Sequence, residues 1–169
     1  MTSAELLADS FGRIREIVEE VLDGLTTDEL AARLDADANS IAWLIWHLAR
    51  VQDDHICDVA GTEQAWTSSG WAERFALPLD VSDVGYGNSS AQVAAVVADA
   101  DKLLGYYDAV SQNTLEFVRH VSDADLDRVV DQRWDPPVTL GVRLISVIND
   151  NLQHAGQAAY LNGILARRR

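Results

Sequence analysis

Apolar residues return at steps of three and four through Leu7, Phe11, Ile14, Val18, Val21 and Leu25, directly after Thr2-Ser3-Ala4-Glu5, which has capping-box spacing. This pattern predicts a first amphipathic helix ending near Gly24. Thr26-Thr27-Asp28-Glu29 repeats the capping signal and opens a short turn through Leu30 and Leu34, before a polar stretch from Asp35 to Asn39. Asn39 and Ser40 are placed to cap a second long helix, Ile41 to about Ala60, and Gly61 to end it. Residues 61 to 89 carry Gly61, Gly70, Pro78, Gly85 and Gly87 without a sustained helical period. They read as a long connection with Trp66, Trp71 and Phe75 folded onto the body, and connections of that length are often functional. From Ser90, the series Val93, Val96 or Val97, Ala100, Leu103 or Leu104, Tyr107, Val110, Leu115, Val118 and Val121 predicts a third helix of about thirty residues. Its Gly105 is tolerated at a cost of about 1 kcal/mol. Asp135-Pro136-Pro137 then breaks the chain, and Thr139 opens a fourth helix to about Leu165.

The two halves share a plan of long helix, capped acidic turn (Thr26 to Leu30, Ser122 to Leu126), break, and second long helix, which suggests two related helical hairpins. No segment alternates at period two for long enough to argue a sheet. The fold class is therefore all-α, a four-helix bundle with a long crossover between its second and third helices. The 169 residues form one domain, 1–169, and a chain of this length buries roughly 70% of the surface that its unfolded form exposes.

Thirteen Lys plus Arg against 27 Asp plus Glu give a net charge of −14, which argues against nonspecific attraction to nucleic acid or to an anionic membrane surface. The terminal Arg167-Arg168-Arg169 is too short a basic run to change that. A single cysteine, Cys57, excludes an internal disulfide, and Met1 to Glu5 lacks the basic and then apolar regions of a signal peptide, so the expected compartment is the cytoplasm. The best apolar helix is interrupted by His47 and Arg50, so no membrane span is expected. The basic residues are twelve Arg and only Lys102, a skew typical of GC-rich coding sequence.

Polar residues fall where the bundle core is expected. Continuing the seam of the fourth helix gives Val147, Asp150, His154, Gln157, Leu161 and Ile164, and the same walk in the second gives Leu44, His47, Val51 and Asp54. Burying such groups costs about 2 to 7 kcal/mol each unless they are partnered. Asp150 and His154 lie about 40° apart around a helix, so both reach one point beside it, and His47 from a facing helix completes two imidazoles and one carboxylate. That is a recurring divalent-metal set with positions open to water or substrate. The competing readings from the residues are a hydrogen-bonded core histidine and a local Asp-His pair, a polar network without metal.

The second helix reads Asn39-Ser40-Ile41-Ala42-Trp43-Leu44-Ile45-Trp46-His47-Leu48-Ala49-Arg50, and the fourth Asp150-Asn151-Leu152-Gln153-His154-Ala155-Gly156-Gln157. This pair resembles the DinB-like superfamily, whose members carry a His in the region matching Trp46 to Arg50 and a His or acidic residue four before a second His that precedes Gly-Gln. The resemblance covers most of the chain. It implies an up-down-down-up four-helix bundle, commonly a homodimer, with one divalent metal, often zinc or nickel, held by His47, Asp150 and His154. Many members have His where this chain has Asp150. An acidic residue there is more similar to the mycothiol-dependent maleylpyruvate isomerase branch, which uses Glu, and the shorter Asp leaves open ligation directly or through water.

Characterised relatives include thiol S-transferases acting with mycothiol or bacillithiol. The resemblance thus implies a metal-dependent transferase in which a low-molecular-weight thiol, held as thiolate at the metal, attacks a small electrophile, with no need for a protein cysteine. The arginine-rich, actinobacterial style of composition favours mycothiol. The alternative is a metal-stabilised binding or stress-response protein without turnover. No catalytic residue is assigned beyond the metal centre. Candidate substrate contacts are Arg50, which could instead pair with Asp53 or Asp54, Gln157, which could instead orient a ligand, and Trp43, which could instead be core, as could Trp46, Trp66 and Trp71. His55 and His120 are expected at the surface, Asp54 in surface or dimer pairing, and Cys57 in packing.

Overall fold

The computed structural model describes residues 1–168; Arg169, the last of the terminal basic run, lies outside the described residues. Eight α-helices are present among the described residues, besides a short 3-10 turn at Asp125–Asp127: α1 (Ser3–Leu22), α2 (Thr27–Ala31), α3 (Ile41–Ala60), α4 (Ala65–Ser68), α5 (Trp71–Phe75), α6 (Ser90–Ala95), α7 (Ala100–Val118) and α8 (Leu140–Ala166). The caps are those that the sequence announces. Thr2 and Thr26 close full capping boxes with Glu5 and Glu29, Ser40 accepts from the Trp43 amide, and Gly61 ends α3 in the left-handed conformation at φ 69°.

α1 and α3 each pack along α7 and α8, which places α1 diagonal to α3. Asn162 near the end of α8 donates to the carbonyl of Val21 near the end of α1, so these two run parallel. Leu22 of α1 lies beside Ala100 and Leu104 at the start of α7, so that pair is antiparallel. Gln52 of α3 meets Thr114 of α7, with the ends of both helices together at Cys57 and Phe117, whereas His47 and His55 of α3 meet His154 and Arg143 of α8. The result is the up-down-down-up bundle, and its core contains Leu7, Phe11, Ile14, Val18, Val21 and Leu25 as the first helix's periodicity requires.

Three expectations are corrected. The third helix is two: after α6 the chain turns extended at Val96 (φ −81°, ψ 92°), and α7 starts afresh because the Asp99 side chain caps it by accepting from the Lys102 amide. Two adjacent β-branched valines and an Asp that competes for backbone amides explain the break. A small antiparallel ribbon, β1 (Val129–Asp131) with β2 (Val138–Thr139), stands before α8, too short to show a period. Finally, the buried seam of α8 runs through Leu144, Val147, Ile148, Asn151, Ala155, Ala158 and Leu161, so Asp150 and His154 flank it and Gln157 is exposed.

Gly105 sits inside α7 for a reason that propensity does not show. A Cβ there would lie 2.8 Å from the ring of Trp71, which packs over it from the crossover. Gly105→Val is therefore expected to destabilise by about 1 to 3 kcal/mol, read as a lower urea midpoint with an altered near-ultraviolet tryptophan signal. In the ribbon, Asp131 receives Arg133 at 2.8 Å and Arg143 at 3.2 Å, and the Arg133 guanidinium above all holds its carboxyl well below the usual carboxylate range. A depressed carboxyl contributes stability above its unfolded value of about 3.9 and loses that contribution as the pH falls below it. Asp131→Asn should lower the urea midpoint at pH 7 and flatten its decline as the pH falls below about 4, where the contribution of this depressed carboxyl is lost.

Candidate metal centre

α3 is buried on nearly every side, and it meets the crossover through polar side chains spaced three apart. The His47 Nδ1–H donates to the Val84 carbonyl at 2.5 Å. Arg50 donates from Nε to the Asp83 carbonyl at 3.2 Å and from Nη1 to Gln64 Oε1 at 2.8 Å. The Asp53 carboxylate accepts from the amides of Ala65 and Trp66 at 2.9 and 2.8 Å, capping α4 from outside, and from the Tyr106 hydroxyl at 3.0 Å. Three successive turns of one helix thus fasten both ends of the crossover.

This fastening sets His47. A carbonyl only accepts, so Nδ1 carries the proton and Nε2 is left as a lone-pair donor. Trp43 stacks on the ring at 4.6 Å and 14°, itself held by its indole N–H on Asn88 Oδ1 at 3.0 Å. Asn88 in turn donates to Asp83 at 3.0 Å, and Asp83 receives the Gly85 amide at 2.7 Å. Gly85 has φ +99°, and a Cβ on it would run into His47 Nδ1. Tyr86 then lays its ring edge-on to His47 at 5.2 Å.

From α8, His154 approaches His47 with ring centroids 4.8 Å apart. Its Nδ1 pairs with Gln157 Oε1 at 3.1 Å, which again leaves Nε2 free. That Nε2 is 3.6 Å from Asp150 Oδ1, too long for a good hydrogen bond, and Asp150 Oδ2 is buried with no partner. One ligand atom from each of His47, Asp150 and His154 lies within 4.8 Å of the others, and among the described residues no other group of three His, Cys, Asp or Glu converges in this way. Burial pushes the His47 imidazole toward its neutral form, against the Val84 bond, while the Asp150 carboxylate raises His154. Two lone-pair nitrogens and an unsatisfied carboxylate oxygen, aimed at one point and steadied from behind, fit a divalent cation.

The remaining candidates divide. Trp43 walls the cluster, also meeting His154 edge-on at 6.2 Å, and Gln157 orients His154. Arg50 follows the alternative reading of pairing with Asp53: it is 1% exposed, lies 3.8 Å from that carboxylate and stacks over Trp66. His55 is corrected as a surface residue, since it is half-buried under α8 and receives Arg143 at 2.9 Å, and its burial lowers its pKa. His120 is exposed as expected, and Asp54 accepts from Gln64 at 2.8 Å. Cys57 is buried, with its thiol pushed up to about 11 by burial, which suits packing and not nucleophilic work. Trp46 and Trp66 are core and Trp71 is half-buried. Unanticipated were Val84, Gly85, Tyr86 and Asn88, whose signal was Tyr86 between two glycines in a long connection.

Fold and cluster together define a DinB-like four-helix bundle with a two-histidine, one-carboxylate centre. A family model for mycothiol-S-transferase matches residues 6–166, and the chain belongs to that family. The crystal structure of a conserved protein from Enterococcus faecalis is similar at a TM-score of 0.90 and 32% identity, covering 96% of each chain. No curated protein matches the chain. No helix among the described residues is long and apolar enough to cross a membrane.

Gly85→Ala tests the strap. The added methyl and the positive φ both oppose the observed turn, so His47 loses its Val84 partner, and zinc affinity measured by chelator competition should fall about 10- to 100-fold while the helical circular dichroism is kept.

Proposed function

We propose that this chain is a divalent-metal-dependent thiol S-transferase using mycothiol, with His47, Asp150 and His154 holding a zinc or nickel ion. The observation that carries this reading is the convergence of the three side chains with both Nδ1 atoms already engaged and Asp150 Oδ2 unpartnered. A divalent ion there supplies the Lewis acidity that keeps a thiol sulfur in its nucleophilic form near neutral pH. In the overall reaction a sulfur–carbon bond forms as the electrophile's bond to its leaving group breaks, the leaving group taking the electron pair and the thiol proton passing to water. Trp43 and Tyr86 exclude water from two sides of the His47 ring, and the Val84 carbonyl and Gln157 hold the two imidazoles in place.

The chain is read further as a cytoplasmic homodimer. The 27-residue α8 carries only Arg143 and Asp150 as charged residues in a chain of net charge −14, and it exposes Val142, Ile145 and Leu152, an uncharged face suited to a second copy.

Elemental analysis of protein purified without an affinity tag should find about one divalent ion per chain, absent from His47→Ala. His154 flanks the buried seam, so His154→Ala should keep the fold while thiol transfer from mycothiol to an electrophilic fluorophore falls more than about 100-fold. A collapse of thermal stability with the metal would instead favour the non-enzymatic, metal-stabilised reading. No metal as purified, and none taken up from zinc or nickel, would leave a polar network and overturn the proposal.

A further inference from the structure

Asp150 and His154 flank the buried seam of α8, and the residue that stands in the seam between them is Asn151, 0% exposed. On an ideal helix the two ligands lie about 100° and 60° round the axis from Asn151, both to the same side. Turning α8 about its own axis would therefore carry both away from His47 together, and a ligand set tolerates only about 10 to 20° of such error. The apolar residues near Asn151 in the seam, Val147, Ile148, Ala155 and Ala158, hold α8 against the core by an attraction that has no direction. A hydrogen bond has one.

Asn151 Nδ2 donates to Gln52 Oε1 of α3 at 2.5 Å. The order of protons around Gln52 requires this sense. Thr114 gives its hydroxyl hydrogen to the Val110 carbonyl at 2.9 Å, so its oxygen accepts from Gln52 Nε2 at 2.7 Å. Gln52 Oε1 is thereby turned toward Asn151, and the Tyr107 hydroxyl also donates to it, at 3.4 Å. Position 151 must then present a donor, which a leucine or an ionised aspartate lacks. Along α3 and α8 the bond falls in register between two other meetings, His47 beside His154 and His55 with Arg143. Gln52 stands five residues from His47, about 7.5 Å along the axis, and Asn151 one residue from Asp150 and three from His154. Gln52 and Asn151 are both 0% exposed. Stability alone does not account for the pair: Asn151 Oδ1 is buried with no partner in the protein, and replacing both members of a buried pair by apolar groups of similar shape is often neutral or stabilising. What a buried amide in a helical seam supplies is a defined register.

We propose that Gln52 and Asn151 are the positioning residues of the metal centre, their bond fixing the rotation of α8 at which Asp150 and His154 meet Nε2 of His47. Resting on the metal-binding half of the S-transferase reading, this asks nothing of the thiol or the electrophile. The test is zinc affinity of the full chain by chelator competition and the visible spectrum of its cobalt-loaded form, beside urea unfolding of the metal-free chain. Asn151→Leu should weaken zinc about 10- to 100-fold and change the cobalt band intensities, which report coordination geometry. That variant strands Gln52, so the decisive one is Gln52→Leu with Asn151→Leu. With both amides gone the metal-free urea midpoint should be kept or raised, while zinc affinity stays as low as in the single variant. A lower midpoint with zinc affinity and cobalt spectrum unchanged would mark the pair as merely structural and overturn the proposal, as would a double variant that has lost its helical circular dichroism. If the unaltered chain takes neither zinc nor cobalt, the metal reading falls and the proposal with it; if both variants bind zinc as the unaltered chain does, the proposal falls alone. Zinc binding that depends on the pair, without transfer from any thiol, would leave the positioning role assigned and defeat only the catalytic reading.

Discussion

His47 stands 3% exposed in a stretch of α3 whose neighbours are Trp43, Leu44, Trp46 and Leu48, and an imidazole placed there gives up water at both of its nitrogens. Helix backbone satisfies neither nitrogen, because the carbonyls and amides flanking His47 within α3 are engaged in the helical ladder. A carbonyl must therefore be brought from outside, and Val84 supplies it. That single bond dictates much of the crossover. The chain must return to α3 after α4 and α5, it must pass so close to the ring that residue 85 has no side chain, and it must turn there at a positive φ. With Nδ1 committed, Nε2 is presented to Asp150 and His154, and the cluster follows.

The same logic extends down α3. Arg50 and Asp53 are buried charges, which on their own would cost several kcal/mol each. They are retained because the crossover answers them with a carbonyl, an amide oxygen and two backbone amides, and because each lies near the other. Breaking one would strand the other. The opposite face of α3 carries a separate polar layer, in which Gln52 meets Thr114, Tyr107 and Asn151 across the centre of the bundle. One helix therefore sets both the register of the bundle and the path of the crossover.

What the sequence disclosed follows from this division. Helical periodicity and caps report local physics, so α1, α3 and α8, their starts at Thr2, Ser40 and Thr139 and the core of α1 were readable, whereas the fresh start of α7 at Asp99 was not. His47, Asp150 and His154 were readable as a trio because their spacing is a property of two helices. The seam of α8 was read one step off because Asn151, a buried amide, occupies the position where an apolar residue was sought, while Asp150 and His154 beside it look equally polar in one dimension. His55 was misplaced, and the crossover partners of Arg50 were hidden, for the same reason: Arg143, Gln64 and Asp83 come from segments that no periodicity connects to α3. Gly105 looked like a tolerated flaw until Trp71 was seen on top of it.

The choice of a carboxylate at position 150 has its own consequence for how the site can work. Asp150 belongs both to the cluster and to the wall of a neighbouring cavity between α3 and α8 that His55, Tyr86 and Gln153 also line, so its charge acts on whatever enters either space. A histidine there would leave the cavity wall neutral, whereas the aspartate makes the same step of α8 attract a cation on one side and discourage an anion on the other. Arg50 is drawn into the interior and Lys102 stands on α7, so the guanidinium that answers this charge is Arg143, which is bonded to His55 and Asp131 and acts on Tyr86. Both guanidinium groups first solve a folding problem, Arg50 by holding the crossover and Arg143 by tying α8 to the ribbon.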